Sequence, residues 1–111
     1  MTDARIAFVP PRFGPTVVGG AEALCRALAA NLTAHGTPVD IITTCALDHR
    51  TWADALPEGE SREGGLRVRR FRVGPRDPAT FARLHGAIQR RGTVPFDQQV
   101  EWMANSVWSP G

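Results

Sequence analysis

The sequence predicts an α/β domain, a parallel sheet with flanking helices. Three observations point there. Ile6, Ala7, Phe8 and Val9 form a continuous apolar run, as strands covered on both faces do. A loop rich in Pro and Gly, Pro10 to Gly20, leads from it into a segment whose apolar residues recur at helical spacing. A second strand, Pro38 to Thr43, follows at a distance that fits one βαβ unit. The crossover of such a unit is right-handed and its strands are parallel.

Each element has its own signal. The first strand spans Arg5 to Val9. The helix after it runs from Ala21 to His35, with Leu24, Cys25, Leu28 and Leu32 as its apolar stripe and Ala27, Ala29 and Ala30 as good helix formers. His35 and Gly36 close it: a cation-capable side chain in the last turn, then a residue free to take positive φ. Thr44 to Gly65 is long for a connection, and such segments are functional or hold small elements of their own. Trp52 and Leu56, four apart, fit one helical turn there. Gly64-Gly65 reads as a tight turn into a third strand, Leu66 to Val73. Leu66 and Val68 alternate in it, and the period slips at Arg69-Arg70, which suggests a bulge or a strand leaving the sheet at that point. Its Arg content places this strand at the sheet edge and the first strand innermost. Asp77-Pro78 is an N-cap followed by Pro at the first helical position. Phe81, Leu84 and Ile88 mark a helix ending near Arg90-Arg91-Gly92. A last helix, about Phe96 to Val107, carries the stripe Phe96, Val100, Met103 and Val107 with Trp102 beside it, and we expect that stripe to be exposed. Ser109-Pro110-Gly111 ends it. Two amphipathic helices after so few strands leave apolar faces to cover, so residues 1–111 read as an incomplete α/β domain.

The composition sets bounds. A chain of 111 residues buries about 65% of its unfolded surface, enough for a real core. Hydrophobic content of 42% and charged content of 22% are those of a globular protein. The net charge is +2, and all 13 basic residues are Arg. So mild an excess does not argue for nucleic acid. The Arg run has Phe71 but no interleaved aromatic platform of the kind single-strand binders use. Cys25 and Cys45 form no metal spacing and no CxxC, and read as free thiols of a reducing compartment. The start, Thr2-Asp3-Ala4-Arg5, is polar, and no apolar stretch reaches membrane-spanning length. The expected location is the cytoplasm. The cluster Arg67 to Arg76 reads either as a solvated edge or as a patch for phosphate or an anionic membrane, which would add peripheral contact at the cytosolic face.

The richest stretch is the loop between the first strand and its helix. Strand, glycine loop and helix together present free backbone N–H groups and a positive helix end to an anion, and ligands of open α/β sheets bind at the carboxyl ends of the strands. Gly14-Pro15-Thr16-Val17-Val18-Gly19-Gly20 is not a Walker A loop, since it lacks the Lys and the Ser/Thr. It is not GxGxxG either. The glycines serve a sharp turn and close packing, or anion binding, and both readings stay open. Glu22 in the first helical turn favours the positive helix end, and it must point aside if a phosphate binds there. His35, His49 and His85 lie on separate elements. No nucleophile–His–carboxylate set and no metal cluster is legible, and no catalytic residue can be named.

With these residues in view, the chain resembles the amino-terminal part of a family 4 retaining glycosyltransferase of GT-B fold. The resemblance rests on Arg5-Ile6-Ala7-Phe8-Val9-Pro10-Pro11, on Gly19-Gly20-Ala21-Glu22, on Leu28 to Leu32 with His35-Gly36, and on Val39-Asp40-Ile41-Ile42-Thr43. Asp48-His49-Arg50-Thr51-Trp52, the run Gly65 to Val73, Arg76-Asp77 with Phe81, and the closing helix with Trp102 and Ser109-Pro110 extend it. It implies a Rossmann-like three-layer domain on the acceptor side of a cleft, with a second such domain holding the nucleotide-diphosphate sugar. It implies an acceptor that is a glycan, a lipid-linked sugar or a small molecule, and no bound metal or other cofactor. Gly19, Gly20 and Ala21 would face the donor diphosphate, and Arg12, Phe13, Gly14, Asp48 and His49 would form acceptor-side loops. The donor-binding residues of the family lie in the second domain, so residues 1–111 alone should not catalyse transfer. The other reading of these residues is a self-contained flavodoxin-like α/β binding module without transferase activity.

Overall fold

The structure, a computed structural model, describes residues 4–110. Thr2 and Asp3 of the polar start, and the closing Gly111, lie outside the described residues. The chain divides into two compact units, Met1–Val73 with Ser109–Gly111, and Gly74–Trp108.

The first unit contains β1 (Ile6–Phe8), α1 (Gly20–Ala34), β2 (Val39–Thr44), β3 (Gly59–Glu63) and β4 (Leu66–Phe71). The strands form one sheet in the order β1-β2-β4-β3. β1 with β2 and β2 with β4 are parallel; β3 is antiparallel to β4. This is the α/β class read from the sequence, a mostly parallel sheet with helices, compatible with part of a Rossmann-like domain. The core lies between one sheet face and α1. Val39 and Ile41 of β2 and Leu66 and Val68 of β4 alternate onto that face, with Ile41 and Val68 in register. Phe13 and Ala29 close over them, and Phe8 and Leu32 pack at the margin.

The strand order corrects the expectation. Leu66–Phe71 lies inside the sheet, and β1 and β3 are its two outer strands among the described residues. The arginines of β4 are tolerated inside because carboxylates stand opposite them. Asp40 pairs in register with Arg67 and Glu60 with Arg69. Arg67 holds Asp40 through Nε at 2.8 Å and Nη2 at 2.6 Å, and Arg5 reaches the same carboxylate at 2.9 Å. Cross-strand pairs of opposite charge of this kind stabilise a sheet. The expected bulge at Arg69-Arg70 is absent: the ladder with β2 is unbroken from Arg67 to Phe71. Strict alternation instead puts Arg70 on the core face, 5% exposed. β3 was hidden inside the long connection because Gly59-Glu60-Ser61-Arg62-Glu63 has no apolar residue to mark it. Gly64 and Gly65 make the hairpin turn with φ of 58° and 85°, the left-handed conformation that two-residue hairpin turns need.

The buried face of α1 also differs from the predicted stripe. Leu24 is 61% exposed, Leu28 is exposed too, and Ala29 is fully buried. Ala29 lets the helix lie close to the sheet, and the helix turns so that Cys25, Ala29 and Leu32 face inward. Gly36 ends it with φ 88°, as expected.

The second unit contains α2 (Pro78–Arg91) and α3 (Phe96–Ala104). Asp77 caps α2, accepting from the N–H groups of Ala79 at 3.0 Å and Thr80 at 3.3 Å, and Gly92 closes it with φ 79°. Phe81, His85 and Trp102 stack between the two helices, with the Arg76 guanidinium 5.4 Å from the Phe81 ring centre. α3 ends at Ala104, three residues before the expected Val107. Phe96, Val100 and Met103 are exposed, as the stripe suggested.

Candidate functional site

The loops that leave the carboxyl ends of β1 and β2 meet in front of α1, and they bring most of the candidate residues together. The first loop is fixed at several points. Thr44 Oγ1 donates to the Pro11 carbonyl at 2.6 Å, and Arg70 Nη2 donates to the Phe13 carbonyl at 2.8 Å. Gly14 is buried against Leu47 of the second loop: a Cβ there would sit 3.4 Å from Leu47 Cδ2. The second loop turns on Asp48, whose carboxylate accepts from the N–H groups of Arg50 at 2.6 Å and Thr51 at 3.1 Å. Those two bonds lower its pKa below the ordinary aspartate value. Trp52 follows with φ 52°, so the helical turn expected for Trp52 and Leu56 does not form.

Arg12 ties the two loops and α1 into one cluster. Its side chain is 9% exposed. Nη1 donates to the Leu47 carbonyl at 3.2 Å, and Nη2 donates to Glu22 Oε1 at 2.8 Å. The guanidinium carbon lies 5.8 Å from the centre of the Trp52 ring, within cation–π range. Arg12 Nε is buried without a hydrogen-bond partner. Glu22 takes a pKa below the usual glutamate value, first because its carboxylate accepts from its own backbone N–H and then because Arg12 donates to it. The charge of His49 acts in the same direction.

The glycines divide into two roles. Gly19 is the N-cap of α1, with extended backbone at φ 165°. A Cβ on Gly19 would collide with Glu22 Oε2 and stand 3.5 Å from Arg12 Nη2. Its smallness therefore lets the carboxylate lie against the loop. Gly20 is the first residue of α1, and a Cβ there meets nothing within 4 Å. The fold does not require glycine at Gly20. Among the described residues, the N–H groups of Gly20 and Ala21 have no protein partner, because α1 has no side-chain cap and its first ladder bond starts at Ala23. Beside this turn lies an open cavity of about 350 Å³ lined by Phe8, Val9, Pro10, Pro11, Ala21, Glu22 and Cys25.

The candidates thus separate. Arg12, Gly19, Gly20 and Ala21 gather at the start of α1, and His49 follows Asp48 on the second loop. Phe13 is a core residue that offers only its carbonyl, Gly14 packs the loops together, and Asp48 builds a turn. Glu22 and Trp52 belong to the cluster and were read from the sequence as helix-end compensation and as packing. A charge complement flanking the glycine pair, Arg12 and Glu22 ten residues apart, was the signal for the first.

The Arg67 to Arg76 run is engaged within the chain. Arg67 and Arg70 have the partners given above, Arg69 meets Glu60 at 3.2 Å, and Arg72 lies 3.7 Å from Asp54. Arg76 Nε donates to the Asn105 carbonyl at 2.9 Å. Both cysteines are free, and burial raises their pKa. Among the described residues, no group of three or more His, Cys, Asp or Glu could hold a metal ion, and no helix is long and apolar enough to cross a membrane.

Comparisons with protein-family models, with curated proteins and with solved structures found no match to this chain.

Proposed function

We propose that this chain is the acceptor-side domain of a retaining glycosyltransferase that moves a sugar from a nucleotide-diphosphate donor to a glycan, lipid-linked or small-molecule acceptor. The observation that carries it is the start of α1. Beyond the carboxyl end of a parallel strand, the N–H groups of Gly20, a glycine that the fold itself does not need, and of Ala21 are unpartnered, with a buried arginine near them. In a retaining transfer the leaving group is a nucleotide diphosphate, and negative charge grows on its terminal phosphate as the sugar departs. The N–H groups of Gly20 and Ala21 are fixed dipoles aimed at such a charge, and removing one donor of this kind costs on the order of 3 kcal/mol of transition-state stabilisation. The cavity bordered by Pro10, Pro11 and Ala21 gives an apolar wall next to that charge. A second Rossmann-like domain holding the nucleotide and the sugar is part of the proposal, as is a cytoplasmic setting, which two free thiols favour. No metal takes part.

The test is a transfer assay on the full encoded protein with a panel of uridine- and guanosine-diphosphate sugars, followed by NMR of the product's anomeric centre. A product that keeps the donor's anomeric configuration supports the proposal. Diphosphate binding without transfer to any acceptor favours the binding-module reading. A protein with no second Rossmann-like domain and no affinity for either nucleotide contradicts both.

A further inference from the structure

The outward side of α3 fits a second copy of this chain. We propose that Phe96, Val100 and Met103 form a self-association surface, on which α3 of one copy packs against α3 of another, antiparallel about a two-fold axis near Val100. This goes beyond the transferase reading and does not depend on it.

The helix has two apolar sides. Trp102 turns toward α2, where its ring stacks on Phe81 and His85. Phe96, Val100 and Met103 recur at intervals of four and three and share another side. They are 79%, 51% and 65% exposed. The first side closes the helical hairpin, and the second has no task within it. Three large apolar side chains set in one row in water mark an interaction surface. Met103 also borders a groove of about 240 Å³ whose lining includes Ile88, Val94 and Trp102. A two-fold contact uses the same patch on both copies. With Val100 on the axis, Phe96 of each copy comes beside Met103 of the other, at the mouth of that groove.

The charges around the row select this occupant. Arg90 and Arg91 end α2, and only Gly92 to Pro95 separates them from α3. Asp97 and Glu101 lie one turn apart on α3, on one flank of the row. All four are exposed, and among the described residues none of them forms an ion pair. Each copy therefore carries two unpaired cations and two unpaired anions beside the same apolar row. In the antiparallel crossing, the end of one α3 that has Arg90 and Arg91 beside it meets the half of the other that carries Glu101. The arginines also come near the negative end of that helix. An anionic membrane fits this surface less well, because Asp97 and Glu101 border the row and would meet like charge. With nine residues, α3 offers a contact at the small end of specific interfaces, so the dimer is a dissociable one.

The experiment is sedimentation velocity of the full encoded protein over a range of concentrations, with melting temperatures alongside. The variants are Val100→Glu, Arg90→Glu with Arg91→Glu, and Asp97→Arg with Glu101→Arg. We expect wild type to show a monomer–dimer equilibrium. Val100→Glu should weaken it at least about tenfold and melt near wild type, since the side chain is exposed. Each charge-reversed protein alone should dimerise more weakly. An equimolar mixture of the two should regain the dimer, because every pair across the axis is then opposite in sign. That recovery separates a broken contact from a damaged fold. A wild type that stays monomeric, or a dimer that none of the variants weakens, overturns the proposal. A mixture that stays monomeric overturns the antiparallel arrangement. Sedimentation of a monomeric wild type with phosphatidylserine vesicles, lost in Val100→Glu, assigns the surface to a membrane and overturns the second copy.

Discussion

Arg70 and Arg12 are both buried, and they do opposite things. Arg70 sits on a central strand and donates to two carbonyls, Thr44 at 3.1 Å and Phe13 at 2.8 Å, with Glu63 at 3.3 Å as its carboxylate. These bonds join β4, β2 and the loop after β1, so the guanidinium stitches backbone to backbone. Arg12 sits on a loop and leans on one carbonyl and one ring. It faces a carboxylate on a flexible side chain and keeps a buried N–H unused. The first arrangement has no part that can be exchanged without opening the sheet. The second rests on one ion pair, one carbonyl and one ring contact where two loops meet. Burial of a charge therefore marks a structural role in one case and a poised one in the other, and the number and kind of acceptors tells them apart.

The sharpest way to break that contrast is to remove each guanidinium. Arg70→Ala leaves two buried carbonyls without donors, and we expect a loss of about 3–4 kcal/mol in denaturant-induced unfolding. Arg12→Ala should cost about 1–2 kcal/mol but should lower affinity for diphosphate far more than Arg70→Ala does in material that remains folded. Equal stability losses, or equal affinity losses, would erase the distinction.

A smaller effect separates the two glycines. Gly19→Ala forces Glu22 off the loop, so we expect weaker packing and a lower melting temperature. Gly20→Ala meets no atom, and in a helical position it should leave stability unchanged or raise it by up to about 1 kcal/mol while binding falls. A Gly20→Ala protein that melts well below wild type would show a structural need that the geometry does not contain.

The smallest effect is acidic. Arg67 first, and then Arg5, hold the Asp40 carboxyl well below the usual carboxylate range. Its pKa is lower folded than unfolded, so its contribution to stability is complete above the unfolded value of about 3.9 and fades as pH falls below it. Melting temperature should therefore drop between about pH 4 and pH 2, and Asp40→Asn should flatten that slope. Glu22 contributes in the same sense through its own N–H and Arg12. An Asp40→Asn protein with the wild-type slope would remove the cross-strand cluster from the account of acid stability.

Much of the fold was legible because it follows from hydrophobic pattern and punctuation. The apolar run at Ile6–Val9, the alternation Leu66, Val68 and the Asp77-Pro78 and Gly64-Gly65 signals each mark an element by local chemistry, although Ile6 and Val9 are exposed and not covered on both faces as the run suggested. Strand order was not legible, because a count of arginines on β4 does not reveal the carboxylates of Asp40 and Glu60 that face them across the sheet. β3 was invisible for a related reason: a polar strand held by backbone bonds on an edge has no apolar period. The site was half legible. Glycines at a strand–helix junction announce an anion-ready helix start. The pairing of Arg12 with Glu22 and the stacking of Trp52 depend on where two loops meet, and sequence neighbours do not record that meeting.

The central claim is that diphosphate binds at the start of α1, beside Arg12. It is tested most directly by nitrogen-15 NMR of the full encoded protein titrated with uridine and guanosine diphosphate. We expect the amide signals of Gly20 and Ala21 and the side-chain N–H signal of Arg12 to shift together along one saturation curve, with the Arg70 side-chain signals unmoved. Shifts confined to other residues, or an Arg12 signal that stays fixed while the Gly20 and Ala21 amides saturate, would contradict it.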